Sequence, residues 1–243
     1  MSDSAPSDSL LSDGWLAPEP DFDTVPLQTL VDPVLKQHAI DLQILRLDLA
    51  DPALGGNKWF KLRENLRLAR LNGHDTLLSF GGAWSNHLYA LAAAGHRYGM
   101  RTIAMLRGEI PSMLNPTLRF VHERGMQLIP ITRSEYRRRH ESAFVDQLLA
   151  RYGPAWLIPE GGGNLAGTHG CQALAKVLRP SIDDRPDQHI ALACGTATTM
   201  AGLLAGLWQH HQLGDLRYMP LVRGYAVLKG ADFLQRDLES WLA

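Results

Sequence analysis

The sequence lacks the features that mark several protein classes. Only two cysteines, Cys171 and Cys194, occur in 243 residues, and they form neither a CxxC pair nor a disulfide framework. Both lie beside small or apolar residues and read as buried thiols. No run approaches the ~20 consecutive apolar residues that span a bilayer. The start, MSDSAPSDSLLSDG, has neither the basic stretch nor the apolar core of a secretory signal, so the chain is expected to be cytoplasmic. Charge of one sign is not in excess either. Lys+Arg number 24 against Asp+Glu 25, and the net charge of −1 gives no global field for nucleic acid or an anionic membrane. Internal repeats are absent, and no metal site is expected.

What is present is an alternation of short β-rich runs and helical patterns. Residues 1–25, rich in Ser, Asp and Pro, read as a mobile arm. DLQILRLDL (41–49) alternates apolar and polar residues and predicts a strand or hairpin arm. WFKLRENLRLARLNG (59–73) predicts a helix that stops at Gly73. Strands follow at 75–80, 101–107, 126–132, 155–160, 189–195 and 224–230. Helices are expected at 85–99, 115–125, 134–153 and about 166–179 and 198–210. Such repetition implies a parallel sheet covered on both faces, with ligands bound at the carboxyl ends of its strands. Arg137, Arg138 and Arg139 read as a solvated helix face, and His210-His211 as an exposed connection.

Four Gly-rich segments carry candidate chemistry. In GGNKWFKL (55–62), a tight turn leads into a helix with Lys58 at its start and Lys61 one turn on. The positive end of a helix lowers a lysine pKa, and the neutral amine is the nucleophile in Schiff-base chemistry. A surface lysine after a turn is the alternative. In SFGGAWSNHLYALAAAG (79–95), Ser85 and Asn86 open a helix whose unpaired N–H groups suit a carboxylate; a plain N-cap would need Ser85 alone. In ALACGTATTMAGLLAGL (191–207), Gly195, Thr196, Ala197, Thr198 and Thr199 form a phosphate cup before a helix. This loop has neither the Walker lysine nor GxGxxG spacing, which leaves a phosphate-bearing cofactor. The fourth, IPEGGGNLAGTHG (158–170), allows close approach to a ligand or serves as a hinge. Together these are the parts that hold a pyridoxal phosphate–amino acid adduct.

In this order and spacing, GGNKWFKL, GGAWSNH, IPEGGGN and CGTATTMAGL resemble the 1-aminocyclopropane-1-carboxylate deaminase / D-cysteine desulfhydrase family of fold-type-II, tryptophan-synthase-β-like enzymes, over about residues 25–235. The resemblance implies an α/β protein with parallel-rich sheets flanked by helices. It also implies a large cofactor domain at 26–62 and 156–243, a small α/β domain at 63–155, pyridoxal 5′-phosphate between them, and a homodimer. Lys58 would carry the cofactor and shuttle protons, Asn57 would contact the 3′-oxygen, and Lys61 would help neutralise the phosphate. Gly195, Thr196, Ala197, Thr198 and Thr199 would cradle that phosphate, while Ser85, Asn86 and His87 would bind the substrate carboxylate, with Ser85 also catalytic. The implied reaction deaminates or eliminates from a small amino acid, releasing a 2-oxo acid and ammonia.

Two departures stand out. Trp84 and Tyr89 replace the usual Gln and Arg of the family, and Trp84 is expected to narrow or dry the substrate pocket. Family members also continue well beyond the counterpart of Ala243, so the chain looks truncated. Its last strand should expose an edge and apolar surface, with weak stability or reduced activity. Rival readings are another fold-type-II reaction, such as a dehydratase or racemase, and a non-catalytic cofactor or amino-acid binder.

Overall fold

The computed structural model of the protein describes residues 18–182 and 186–243; residues 1–17 of the expected arm lie outside them. The described end of that arm is packed rather than mobile. Phe22 sits 4.4 Å from the ring of Phe60, Trp59 Nε1 donates to Glu19 at 3.3 Å, and the Tyr98 hydroxyl donates to the Pro18 carbonyl at 3.2 Å. One aromatic ring and one carboxylate thus anchor a segment whose composition reads as unstructured.

The arm leads to β1 (Leu27–Thr29), which pairs antiparallel with β2 (Gln43–Leu45) around the short helix α1 (Pro33–Gln37). Asp32 caps α1 by accepting from Val34 N at 2.8 Å. The expected run at 41–49 is therefore a hairpin arm that ends in a 3-10 turn at Leu47–Leu49.

The helix α2 (Asn57–Leu71) then feeds the main sheet. This sheet contains β3 (Thr76–Gly81), β4 (Arg101–Arg107), β5 (Gln127–Ile131) and β6 (Trp156–Ile158), all parallel, in the order β5-β4-β3-β6. Its connections are α3 (Asn86–Arg97), α4 (Pro116–Glu123), α5 (Arg133–Arg137) and α6 (Ser142–Tyr152). Alternation places successive residues on opposite faces. Leu77, Ala104 and Leu106 join the core under α2, α3 and α4, while Leu78, Phe80, Ile103 and Met105 meet Tyr136, Phe144 and Leu148. Both faces are covered, which is why the strands read as unbroken apolar runs.

The single helix expected over 134–153 is two. A Thr132/Glu135 capping box starts α5, and α6 begins after Glu141, which pairs with Arg138 at 2.9 Å across the break. The break lets Tyr136 meet Phe80 edge-on at 6.1 Å while Phe144 and Leu148 still reach the same core.

Beyond the sheet come α7 (Leu165–Leu178), β7 (His189–Cys194), α8 (Thr198–Gln212), β8 (Leu221–Ala226) and α9 (Phe233–Leu242). Packed between α2 and α8, α7 makes contacts too close for side chains. A Cβ on Gly170 would lie 2.0 Å from the Phe60 carbonyl, and one on Gly202 2.3 Å from the Thr168 carbonyl. His210 and His211 belong to the last turn of α8, not to a connection. β7 and β8 form a parallel pair, and Leu221, Tyr225, Val227 and Leu228 of β8 and its exit are exposed, as expected of that strand. The boundary expected at 62/63 falls inside α2, which packs on α7 and also touches α3.

Candidate active site

The site is assembled by four chain segments that meet at the start of α2. Gly56 precedes this helix at φ 85°, a left-handed conformation that aims the turn into Asn57 and Lys58. The Asn57 side chain then works in two directions. Its Oδ1 accepts from Lys58 Nζ at 3.1 Å, and its Nδ2 donates to Thr199 Oγ1 at 3.0 Å. One turn along the helix, the buried Lys61 donates from Nζ to Thr196 Oγ1 at 2.7 Å. Lys61 directly, and Lys58 through Asn57, are thus tied to the 195–199 loop across more than a hundred residues of sequence.

Burial sets their electrostatics. It is the main cause that lowers the Lys58 pKa from the usual lysine value. Lys61 falls further, to about 8, through burial first and the Lys58 charge second. Two amines one helical turn apart, with no carboxylate in their hydrogen bonds among the described residues, favour a neutral amine at one and an anion near the other.

The 195–199 loop supplies the anion side. Its irregular part ends at Ala197, and Thr198 and Thr199 open α8, which presents its unpaired N–H groups there. Thr198 Oγ1 is buried without a hydrogen-bond partner among the described residues. Such an orphan is expensive in a finished interior and fits a cradle that awaits an acceptor.

The glycine segment closes the far wall. Gly161 and Gly162 have φ of 71° and 72°. A Cβ on Gly162 would lie 2.9 Å from Lys61 Cβ and 3.7 Å from His87 Cε1, and one on Gly161 3.2 Å from Thr196 Cγ2. Only glycine lets this backbone lie against the lysine, the threonine loop and the histidine together.

The carboxylate-binding candidates divide. Ser85 caps α3 by accepting from Leu88 N at 3.2 Å, so the simple N-cap role is fulfilled. Asn86 is exposed at the helix start, whereas His87 is buried, with Nε2 2.9 Å from Ser79 Oγ. Burial, followed by the charges of Lys58 and Lys61, depresses the His87 pKa to about 3, so its imidazole is neutral at physiological pH. Trp84 is 70% exposed at the rim of this loop rather than packed within it. Tyr89 stacks on Phe120 at 3.5 Å and is turned to α4, away from the lysines.

Sequence reasoning missed the pair that locks the segments together. Asn65, one turn beyond Lys61, and Asn164, the N-cap of α7, exchange amide hydrogen bonds. The signal for Asn164 was its place between the glycines and a helix, as in any Asx cap. Asn65 had none, because a buried amide within a charged helix looks like surface. Cys171 and Cys194 are buried thiols, as expected. Among the described residues, no helix is long and apolar enough to cross a membrane.

Comparison with known proteins yields both curated relatives and solved structures. No family model matches the chain. A protein of Arabidopsis thaliana named bifunctional D-cysteine desulfhydrase/1-aminocyclopropane-1-carboxylate deaminase, mitochondrial, is 32% identical over 81% of this chain and 51% of its own length. A D-cysteine desulfhydrase of Klebsiella pneumoniae is 29% identical over 76% of this chain and 58% of its own. Among solved structures, one described as an ACC deaminase homologue superposes with a TM-score of 0.72 at 24% identity, covering 90% of this chain and 65% of that one. The fold is therefore that of the fold-type-II enzymes. The chain spans about half the length of the curated relatives it matches.

Proposed function

We propose that this chain, homologous over most of its length to the 1-aminocyclopropane-1-carboxylate deaminase and D-cysteine desulfhydrase proteins, is a pyridoxal 5′-phosphate enzyme that releases ammonia and a 2-oxo acid from a small amino acid. The observation that carries this reading is the pair of contacts Lys58–Asn57–Thr199 and Lys61–Thr196. They join an amine of lowered pKa to a loop built for a phosphate.

The residues present fit that cofactor. Lys58 would attach its aldehyde carbon, and Asn57, already in contact with Lys58 Nζ, would position the 3′-oxygen. Lys61, the hydroxyls of Thr196, Thr198 and Thr199, and the N–H groups around Gly195 and Ala197 would hold the phosphate at the start of α8. When bound, the cofactor supplies an electron sink for cleavage of a bond at the substrate α-carbon.

The chain's own groups do the remaining work. Ser85 N–H and hydroxyl, with Asn86, would orient the substrate carboxylate at the start of α3. Lys58 Nζ would take a proton from the substrate and later return one; its lowered pKa suits both roles. Neutral His87 would buttress the loop from below without adding a third cation. Trp84, at the rim, would exclude water as substrate enters.

We place the cofactor domain at 26–62 and 156–243 and the small domain at 63–155. We expect a homodimer and a cytoplasmic location. Borohydride reduction in the presence of pyridoxal phosphate, followed by peptide mapping, tests the reading: the label should appear on Lys58 and be lost in Lys58→Ala. Labelling of another lysine, or of none, overturns it. Release of a keto acid from D-cysteine or aminocyclopropane carboxylate then separates an enzyme from a binder.

A further inference from the structure

A cavity lies beside Pro159 and Glu160, the residues that lead into the glycine segment. It has a volume of about 340 Å³, in the range of small-molecule sites, and runs from the carboxyl end of β3 to the start of α6. Phe80, Val145 and Leu157 form its apolar wall, while Arg139, Asp146 and Glu160 bring charge to it. Arg139 was expected on a solvated face. Instead its Nε lies 2.8 Å from Glu160 Oε2, its Nη1 donates to the Tyr136 carbonyl at 3.0 Å, and its guanidinium stacks over the Tyr136 ring at 4.9 Å. Although it pairs with Glu160 by charge, the buried Nε makes no aligned hydrogen bond among the described residues.

This lining has the chemistry of an amino-acid site: one guanidinium for a carboxylate, two carboxylates for an ammonium, and an aliphatic wall for a side chain. His140, also on the rim, has its pKa lowered by burial and the Arg139 charge, so it adds little positive charge. The geometry points to a second ligand site here, for an aliphatic amino acid in its zwitterionic form, distinct from the lysine site. No residue of this wall takes part in the Lys58 site. The two are nonetheless mechanically joined. Glu160 heads the segment whose next two residues, Gly161 and Gly162, lie against Thr196 and Lys61. A ligand carboxylate that shares Arg139 competes with Glu160, and the coupling must be reciprocal.

The test uses L-leucine, with D-leucine in parallel, titrated by calorimetry into the full chain without cofactor. Saturable binding of one enantiomer is expected. It should weaken about tenfold or more in Arg139→Met and in Ser142→Trp, which fills the cavity from an exposed position, and persist in Lys58→Ala. Saturating leucine should also shift the pyridoxal phosphate half-saturation by about fivefold or more. Absence of saturable binding, binding indifferent to both cavity variants, or binding lost in Lys58→Ala would each overturn the proposal. Because the first titration needs no cofactor, its failure is separable from failure of the Lys58 assignment.

Discussion

Asn65 and Asn164 hold each other by both ends of their amides: Asn65 Nδ2 donates to Asn164 Oδ1 at 3.1 Å and Asn164 Nδ2 donates to Asn65 Oδ1 at 2.8 Å. Asn65 also donates to the Lys61 carbonyl at 2.8 Å, and Asn164 Oδ1 accepts from Gly167 N at 2.8 Å. The pair therefore fixes the lysine helix against the start of α7 just beyond the glycine segment. Truncating one partner removes hydrogen bonds from the other amide, which is buried for Asn65 and half-buried for Asn164. Asn65→Ala is expected to cost about 2–3 kcal/mol in urea unfolding. A double-mutant cycle with Asn164→Ala should show a coupling of about 1–2 kcal/mol, and additive losses would argue against a shared network.

Gly162→Ala should strain the backbone and press on Lys61. The left-handed φ of 72° and the 2.9 Å approach to Lys61 Cβ both oppose a methyl group. A stability loss of about 1–2 kcal/mol is expected, with pyridoxal phosphate affinity weakened by about tenfold or more. Spectroscopic titration of the folded variant measures the second effect apart from the first.

Lys61→Met should stabilise the cofactor-free protein while weakening its hold on phosphate. Lys61 has a folded pKa of about 8 against an ordinary value of 10.5, so the unfolded chain binds more protons between these values. Stability then rises with pH across that window, and the penalty for holding the charge is full below about pH 8. Removing the amine should add on the order of 1–2 kcal/mol at neutral pH, less the lost bond to Thr196, and flatten the rise above pH 8. A melting series from pH 7 to about 10.5 reads both.

His87 works at the acid end. Its folded pKa of about 3 lies below the ordinary 6.5, so protonation favours the unfolded chain as the pH falls. The stability present above pH 6.5 should be lost with a slope of up to about 1.4 kcal/mol per unit on descending towards 3. His87→Gln, which can keep a bond to Ser79, should remove that part of the slope. An unchanged acid limb would show that carboxylates dominate it.

Much of this was legible in the sequence because local chemistry and tertiary position agree there. β4 falls on the expected 101–107, and the helix beginning at Asn86 has Ser85 as its cap. Lys58, Lys61 and the 195–199 loop were marked by glycine and threonine spacing, and the structure brings them together. What escaped depends on partners remote in sequence. Arg139 resembled its solvent-facing neighbours until Glu160 was placed beside it. Asn65 looked like helix surface until Asn164 arrived from 99 residues away. The arm at 18–25 has the composition of a disordered tail, yet Phe22 and Glu19 find Phe60 and Trp59. The break near 138–141 carries no glycine or proline, and only packing on Phe80 reveals it.

The glycine contacts that draw α7 against its neighbours make Cys171 a reporter. Its side chain is wholly buried, its Cβ lies 2.4 Å from the place a Gly202 Cβ would take, and burial lifts its thiol pKa to about 11. A thiol reagent can reach it only when that helical seam parts, so the rate of alkylation measures how often the floor beneath the two lysines opens.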